Sequence, residues 1–348
     1  MLTYAYITTA VVSILAVLIL TPLAVRLGRR TGALSAPRDA EIARPPASNL
    51  GGVVILVSTA IAMIVAYLLY SAPFDGYRRV AGGIFIGTII IAVMGFIDDR
   101  KNLGPGIKFA IQTAVALIMI LFGVKITFIS NPFDTLIELG ALSIPVTVLW
   151  IVGVMNAVNF VDGLDGLAPG VLAIAGLSLF TISASLNLSF LALIFLSIFG
   201  ANLAFLRYNY PPARIILGNV GAYSLGFLFA VASIVQPVKV STAMVLFVPM
   251  LALGFPMVEM IVTVSRRLAQ KKKIYQRDSE HLHHLLLSLG LPPSVVDWIF
   301  YSISLLFATV AVALSVGDRG VMIFFLIGLL LVFLVVSVKL ASLERKRD

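Results

Sequence analysis

Cysteine is absent from this chain, which excludes disulfides, thiolate catalysis and any metal site that draws on sulfur. Charge is scarce as well: Asp, Glu, Lys and Arg make up 12% of the residues, against roughly 25% in soluble domains. Histidine occurs only three times and tryptophan twice. Internal repeats, low-complexity tracts and a soluble domain are missing too, so residues 1–348 read as one domain. What fills the chain is hydrophobe, 60% of the residues, with a mean hydropathy of +1.07. Apolar runs of about 20 residues recur along it, the length a helix needs to cross the hydrocarbon core. The fold class is therefore an all-α integral membrane protein. The first run, Tyr4 to Leu27, lacks a basic leader and exceeds a signal-peptide core, so it reads as a first span.

The pattern predicts about eleven spans, over residues 4–27, 50–70, 80–97, 107–123, 142–160, 169–186, 188–206, 220–236, 240–263, 294–315 and 320–340. Basic residues then set the orientation. With the N-terminus outside, only Arg78, Arg79, Lys125, Lys239 and Arg319 of the 25 Lys and Arg face outward, and the C-terminus lies inside. This asymmetry accounts for the net charge of +9 without a nucleic-acid partner. Segment 124–141 is too polar to span and predicts a short outer hairpin around Asn131-Pro132. Residues 264–293 form a long inner loop that holds all the histidines.

The placement of the 16 acidic residues carries more information. Asp98 and Asp99 close the third span, Asp162 and Asp165 follow the fifth, and Glu259 lies near the inner end of the ninth. An adjacent acid pair at membrane depth is costly, about 2.5–3.5 kcal/mol per charge on insertion scales. A helix-end pair can be simple interfacial solvation, but a cation or a cationic neighbour such as Lys108 would offset the repulsion. Asp162 and Asp165 sit in VNFVDGLDGLAPG, where Asp-Gly steps also suit a plain turn. Asn156, Asn159 and Asp162 recur at helical spacing, so they share one face, and a polar stripe in a membrane helix should face the bundle interior or a wet cavity.

His281, His283 and His284 occur together in RDSEHLHHLLLSLG, beside Arg277 and the run Lys271–Lys273. No ligand spacing supports zinc, whereas the mixed cationic surface suits a pyrophosphate or polar head group. The lysine run by itself reads as a positive-inside anchor. Loop 207–219, RYNYPPARIILGN, adds Arg207, Asn209 and Arg214 to the same face, with Pro211-Pro212 stiffening the turn. Gly218 and Gly221 would let backbone approach a ligand. The first inner loop offers Arg44 and a Gly51-Gly52 entry into the second span, glycines of the kind that usually serve helix packing.

Taken in order, FIDDRKNLGPGIK, NAVNFVDGLDGLAPG, YNYPPARIILGN and RDSEHLHHLLLSLG resemble the polyprenyl-phosphate N-acetylhexosamine-1-phosphate transferases. The resemblance runs from about Arg44 to Gly290. The R-D-x-x-H-x-H-H form is similar to the branch that handles simple N-acetylhexosamine phosphates; the muramoyl-pentapeptide branch usually shows His-His-His. The resemblance implies a cell-membrane enzyme with a cytoplasmic active site. A polyprenyl phosphate, such as undecaprenyl phosphate, would attack the β-phosphorus of a UDP-N-acetylhexosamine such as UDP-GlcNAc. The products would be UMP and a lipid diphospho-sugar that starts a cell-envelope glycan. Two anions must meet, so charge neutralisation is the main task, assigned by the resemblance to Mg²⁺ or alternatively Mn²⁺.

The resemblance places Asp98, Asp99 and Lys108 at the reaction centre. Arg44, Asn156, Asp162, Asp165, Asn209, Arg277, His281, His283 and His284 would bind substrate, and Asn159 and Asn219 would hold the metal. One departure stands out: the family's Gly-Asp-x-Gly reads Gly218-Asn219-Val220-Gly221, which keeps an oxygen donor but loses a charge. Glu259 likewise replaces an aspartate. Two other classes compete. A transporter would show midplane acids and inverted repeats, neither of which is present. A silent homologue would bind nucleotide or lipid phosphate without releasing UMP. Stretches of small residues facing the lipid are compatible with a homodimer.

Overall fold

The computed structural model describes residues 1–35, 46–130, 136–235, 247–270 and 282–316. The first helix, α1 (Leu2–Thr31), shows how the solvent shapes the pattern. Its inward stripe is small and polar, with Ala5, Thr9, Ser13, Val17 and Thr21 buried, while Ile7, Val11, Leu15, Ile19, Leu23 and Leu27 point outward. Large apolar groups outside and small ones inside suit lipid, where helices associate by close packing instead of hydrophobic burial.

The other long spans are α2 (Gly51–Leu69), α3 (Arg78–Lys101), α5 (Ser143–Val161), α6 (Leu167–Ser185) and α7 (Ser189–Asn209). Two shorter apolar helices join them, α4 (Pro105–Leu121) and α8 (Gly218–Ile234). After α8 come α9 (Phe247–Ala252), α10 (Gly254–Ala269), α11 (Leu282–Ser288) and α12 (Pro293–Val316). Among the described residues seven helices are long and apolar enough to cross a membrane, so the protein is a multi-pass membrane protein. Expected spans one to eight and ten coincide with helices within a few residues. The described part of the ninth breaks at Leu253 between α9 and α10. Helix α10 then runs on to Ala269, into the region expected as loop, and the eleventh span lies outside the described residues.

Helix α8 is the centre of the bundle. It packs against α2, α3, α5 and α7, and every one of its residues except Asn219 is buried. Glycines make the approach to α2 and α3 close enough. A Cβ on Gly95 of α3 would lie 2.7 Å from the Val220 Cα, and one on Gly52 of α2 would run into the backbone of Gly221. On the far side, Trp150 Nε1 of α5 donates to Ala230 O at 3.2 Å and to Ser233 Oγ at 3.1 Å. These bonds satisfy buried polar atoms that have no water to turn to.

Two hairpin-like pairs complete the fold. β1 (Leu34–Ser35) pairs antiparallel with β2 (Ala47–Ser48), and Ser48 bridges to Ile215 in the α7–α8 loop. This places β2 against the 210–217 segment. At the opposite end of the bundle, β3 (Phe128–Ser130) and β4 (Leu136–Glu138) form the hairpin foreseen in segment 124–141. Ser143 Oγ bonds Ile126 O, and Thr147 Oγ1 accepts from Ile126 N at 2.9 Å, which anchors that hairpin to α5.

Candidate active site

One end of the bundle collects the polar termini of α3, α4, α5, α7 and α8. Asp98 is buried on the last turn of α3, where its Oδ1 accepts from Leu103 N at 2.8 Å and its Oδ2 from Lys108 Nζ at 3.2 Å. The short α3–α4 connection brings Lys108, in the first turn of α4, back over the acid. The expected Asp98–Lys108 neighbourhood is thus a direct ion pair, with the Lys108 ammonium also 5.9 Å from the Tyr223 ring centre.

Asp99 points the other way, to α8. Its Oδ1 accepts from Asn219 N at 3.0 Å and its Oδ2 from Val220 N at 3.4 Å. The carboxylate therefore sits on the amides at the positive end of a helix. Gly218 makes room: its φ is +69°, and a Cβ there would meet Asp99 Oδ2 at 2.9 Å. Gly218 serves this packing against α3, and Gly221 serves the seam with α2, where its Cβ would lie 2.9 Å from the Gly52 Cα.

From Asn219 the network continues to α5, where Asn159 Nδ2 donates to Asn219 Oδ1 at 3.0 Å. One turn earlier, Asn156 Nδ2 donates to Gln112 Oε1 of α4 and to Val152 O, both at 2.8 Å. Asp99, Asn219 and Asn159 form a continuous hydrogen-bonded chain across three helices. Gln112 was missed from the sequence, although a glutamine facing inward on a membrane helix is the kind of residue that bonds across helices.

Asp162 caps the end of α5 and is half-buried. Asp165 and Asn209 are placed differently from each other and from Asp162. Asp165 Oδ2 accepts from Ala213 N at 3.0 Å; Asn209 Oδ1 accepts from Gly166 N at 2.9 Å while its Nδ2 donates to Ile215 O at 2.8 Å. Both are buried, and together they bolt the 162–166 turn to the 210–215 loop. His283 lies over this turn, for a Cβ on Gly163 would come within 2.6 Å of its Cε1, and the His284 ring centre is 4.3 Å from that of His283. Helix α11 carries both histidines, and buried Glu259 of α10 accepts from Leu282 N at 3.2 Å. Arg44, Arg277 and His281 lie outside the described residues.

No group of three or more His, Cys, Asp or Glu comes together as a metal cluster among the described residues. The donors at Asp99, Asn159 and Asn219 are nonetheless all oxygens of carboxylate or amide. That set suits a hard cation such as Mg²⁺, which keeps several waters and needs only one or two carboxylates beside substrate phosphates.

Fold and site together define a class: a helical membrane protein with a carboxylate, amide and lysine site at one end of the bundle. Comparison with known proteins makes the class specific. Residues 81–236 match Glycosyl transferase family 4. Over 97% of this chain and 92% of the relative, the sequence is 33% identical to a probable undecaprenyl-phosphate N-acetylglucosaminyl 1-phosphate transferase of Bacillus subtilis. It is 30% identical to a decaprenyl-phosphate N-acetylglucosaminephosphotransferase of Mycobacterium tuberculosis, over 76% of this chain and 71% of that one. A phospho-N-acetylmuramoyl-pentapeptide-transferase of Heliobacterium modesticaldum is 29% identical over 78% and 84%. The chain belongs to glycosyl transferase family 4.

Proposed function

We propose that this protein transfers GlcNAc-1-phosphate from UDP-GlcNAc to a polyprenyl phosphate, undecaprenyl phosphate in the first instance, at the cytoplasmic face of the cell membrane. The products are UMP and the lipid diphospho-sugar that begins a cell-envelope glycan. The observation that carries this reading is the near full-length likeness to the Bacillus subtilis relative. The convergence of its separated motifs on one end of the bundle supports it.

The chemistry required is the approach of one phosphate to another, so the site must lower charge repulsion and hold geometry. Lys108 brings a cation, and Asp98 fixes that ammonium with one hydrogen bond, leaving two N–H groups for phosphate oxygens. Asp99 holds the N-terminus of α8 and keeps Asn219 in register with Asn159. Asp162, at the end of α5, and His283 and His284, on α11, line the side where the nucleotide would lie. Asp99, Asn159 and Asn219 would hold Mg²⁺ or Mn²⁺, which when bound supplies charge neutralisation to the diphosphate.

The test is UMP release by the purified protein with Mg²⁺, undecaprenyl phosphate and UDP-GlcNAc. The expected result is turnover that Asp99→Asn reduces by about three orders of magnitude, the scale of losing a charge-organising group. Absence of UMP with every UDP-N-acetylhexosamine supplied would overturn the reading in favour of a binding or scaffolding role.

A further inference from the structure

Helix α12 plays no part in the site as drawn above, yet it carries a buried acid directly behind it. Asp297 is 0% exposed, and neither of its carboxylate oxygens has a hydrogen-bond partner. It is the lone acid in the expected tenth span, and an ionisable group inside a membrane helix marks function before stability. Its surroundings are specific. A Cβ on Gly166 would lie 2.9 Å from Asp297 Oδ2, 3.1 Å from Pro211 Cδ and 3.3 Å from Tyr301 Oη. One helical turn after Asp297, Tyr301 Oη donates to Gly166 O at 2.7 Å. The same tyrosine ring occupies the space beside Gly170 that any larger residue would need.

Gly166 is thus held by both backbone atoms, through its carbonyl by Tyr301 and through its N–H by Asn209. Its φ of +85° is a conformation for which glycine is suited. The turn that ends here begins at Asp162, so the depth of Asp162 and Asp165 is set from behind by α12. A valine or leucine at 297 would fill the same space without the cost of an unbonded buried carboxyl. Stability therefore does not account for the aspartate, and its contact with the turn does.

We infer that Asp297 and Tyr301 are positioning residues for the transfer reaction. They act through Gly166, whose carbonyl Tyr301 holds and whose Cα Asp297 packs beside, to set the nucleotide-side turn 162–166. This rests on the reading above, in which that turn lines the sugar-nucleotide pocket.

The experiment compares wild type, Asp297→Val, Asp297→Asn and Tyr301→Phe in three readouts: thermal unfolding in detergent, UDP-GlcNAc binding by calorimetry, and steady-state UMP release with each substrate varied. Asp297→Val should unfold at or above the wild-type temperature while its Kd and KM for UDP-GlcNAc rise about tenfold, the lower range for residues that orient a binding group. The KM for undecaprenyl phosphate should stay within about twofold. Asp297→Asn, which keeps the shape and an acceptor oxygen, should fall between, and Tyr301→Phe should move the same constants. If wild type binds and turns over UDP-GlcNAc and these variants match it, the positioning role is wrong while the enzyme reading stands. A change in unfolding temperature without a selective change in nucleotide affinity overturns it equally. If wild type neither binds nor turns over UDP-GlcNAc, both fall together.

Discussion

At the scale of single residues the question is what an amide does where the family resemblance expects an acid. Asn219 is the one residue of α8 that is not buried, and its Oδ1 already accepts from Asn159. An amide oxygen can reach a cation but brings no charge, so Asn219→Asp should raise Mg²⁺ affinity by roughly tenfold, about 1.4 kcal/mol. Mg²⁺ titration of UMP release in both proteins checks this; equal half-saturation concentrations would remove Asn219 from the proposed metal site. Most of the residues now seen around Asn219 were legible in the sequence, because acids and amides are rare in an apolar chain and each one stands out. Their partners were not legible. Nothing in DGLDG distinguishes half-exposed Asp162 from Asp165, which accepts from Ala213 N, since the difference arises from the 210–215 loop arriving from far along the chain. Asp297 could have been found by the same rule that singled out Glu259, an acid inside an expected span.

At the scale of helices, the site exists only because α8 can come close to α3. Gly95 faces the Val220 backbone, which cannot move aside as a flexible side chain could, and a Cβ there would lie only 2.7 Å from the Val220 Cα. Gly95→Val should therefore destabilise by about 3 kcal/mol, the upper range for overpacking, and should lose activity by displacing Asn219. Gly82 in the same helix gives the contrast, since its Cβ would find nothing nearer than 4.0 Å. There Gly→Ala should stabilise by about 0.5–1 kcal/mol through helix propensity. Thermal melts of the two variants in detergent decide between them; similar losses for both would show that helix seams do not govern this bundle. Element type and position followed from hydropathy almost throughout, because lipid permits few alternatives to a helix. The break at Leu253 was hidden for the same reason: apolar residues continue through it, and periodicity alone cannot register an interruption that other helices accommodate.

For the whole molecule, the proposed reaction needs every polar helix end at the site to face the cytoplasm, and the orientation rests on the distribution of Lys and Arg. The absence of cysteine makes this directly measurable, for any label then reports a single introduced thiol. Helix α3 is the natural ruler: Asp75 lies exposed just before its start, and Lys101, also exposed, at its end two residues after Asp99. In intact cells a membrane-impermeant maleimide should label Asp75→Cys, and should reach Lys101→Cys only after the membrane is opened. The basic pair Arg78 and Arg79 sits on the outward side of this scheme, where it opposes the rule, while Arg100 and Lys101 support it at the other end. The remaining inner loops outweigh that local conflict in count, so the global bias should prevail. Labelling of Lys101→Cys in sealed cells would put the carboxylates outside. It would also separate the site from cytoplasmic UDP-sugar, and the transfer reaction could not run at that face.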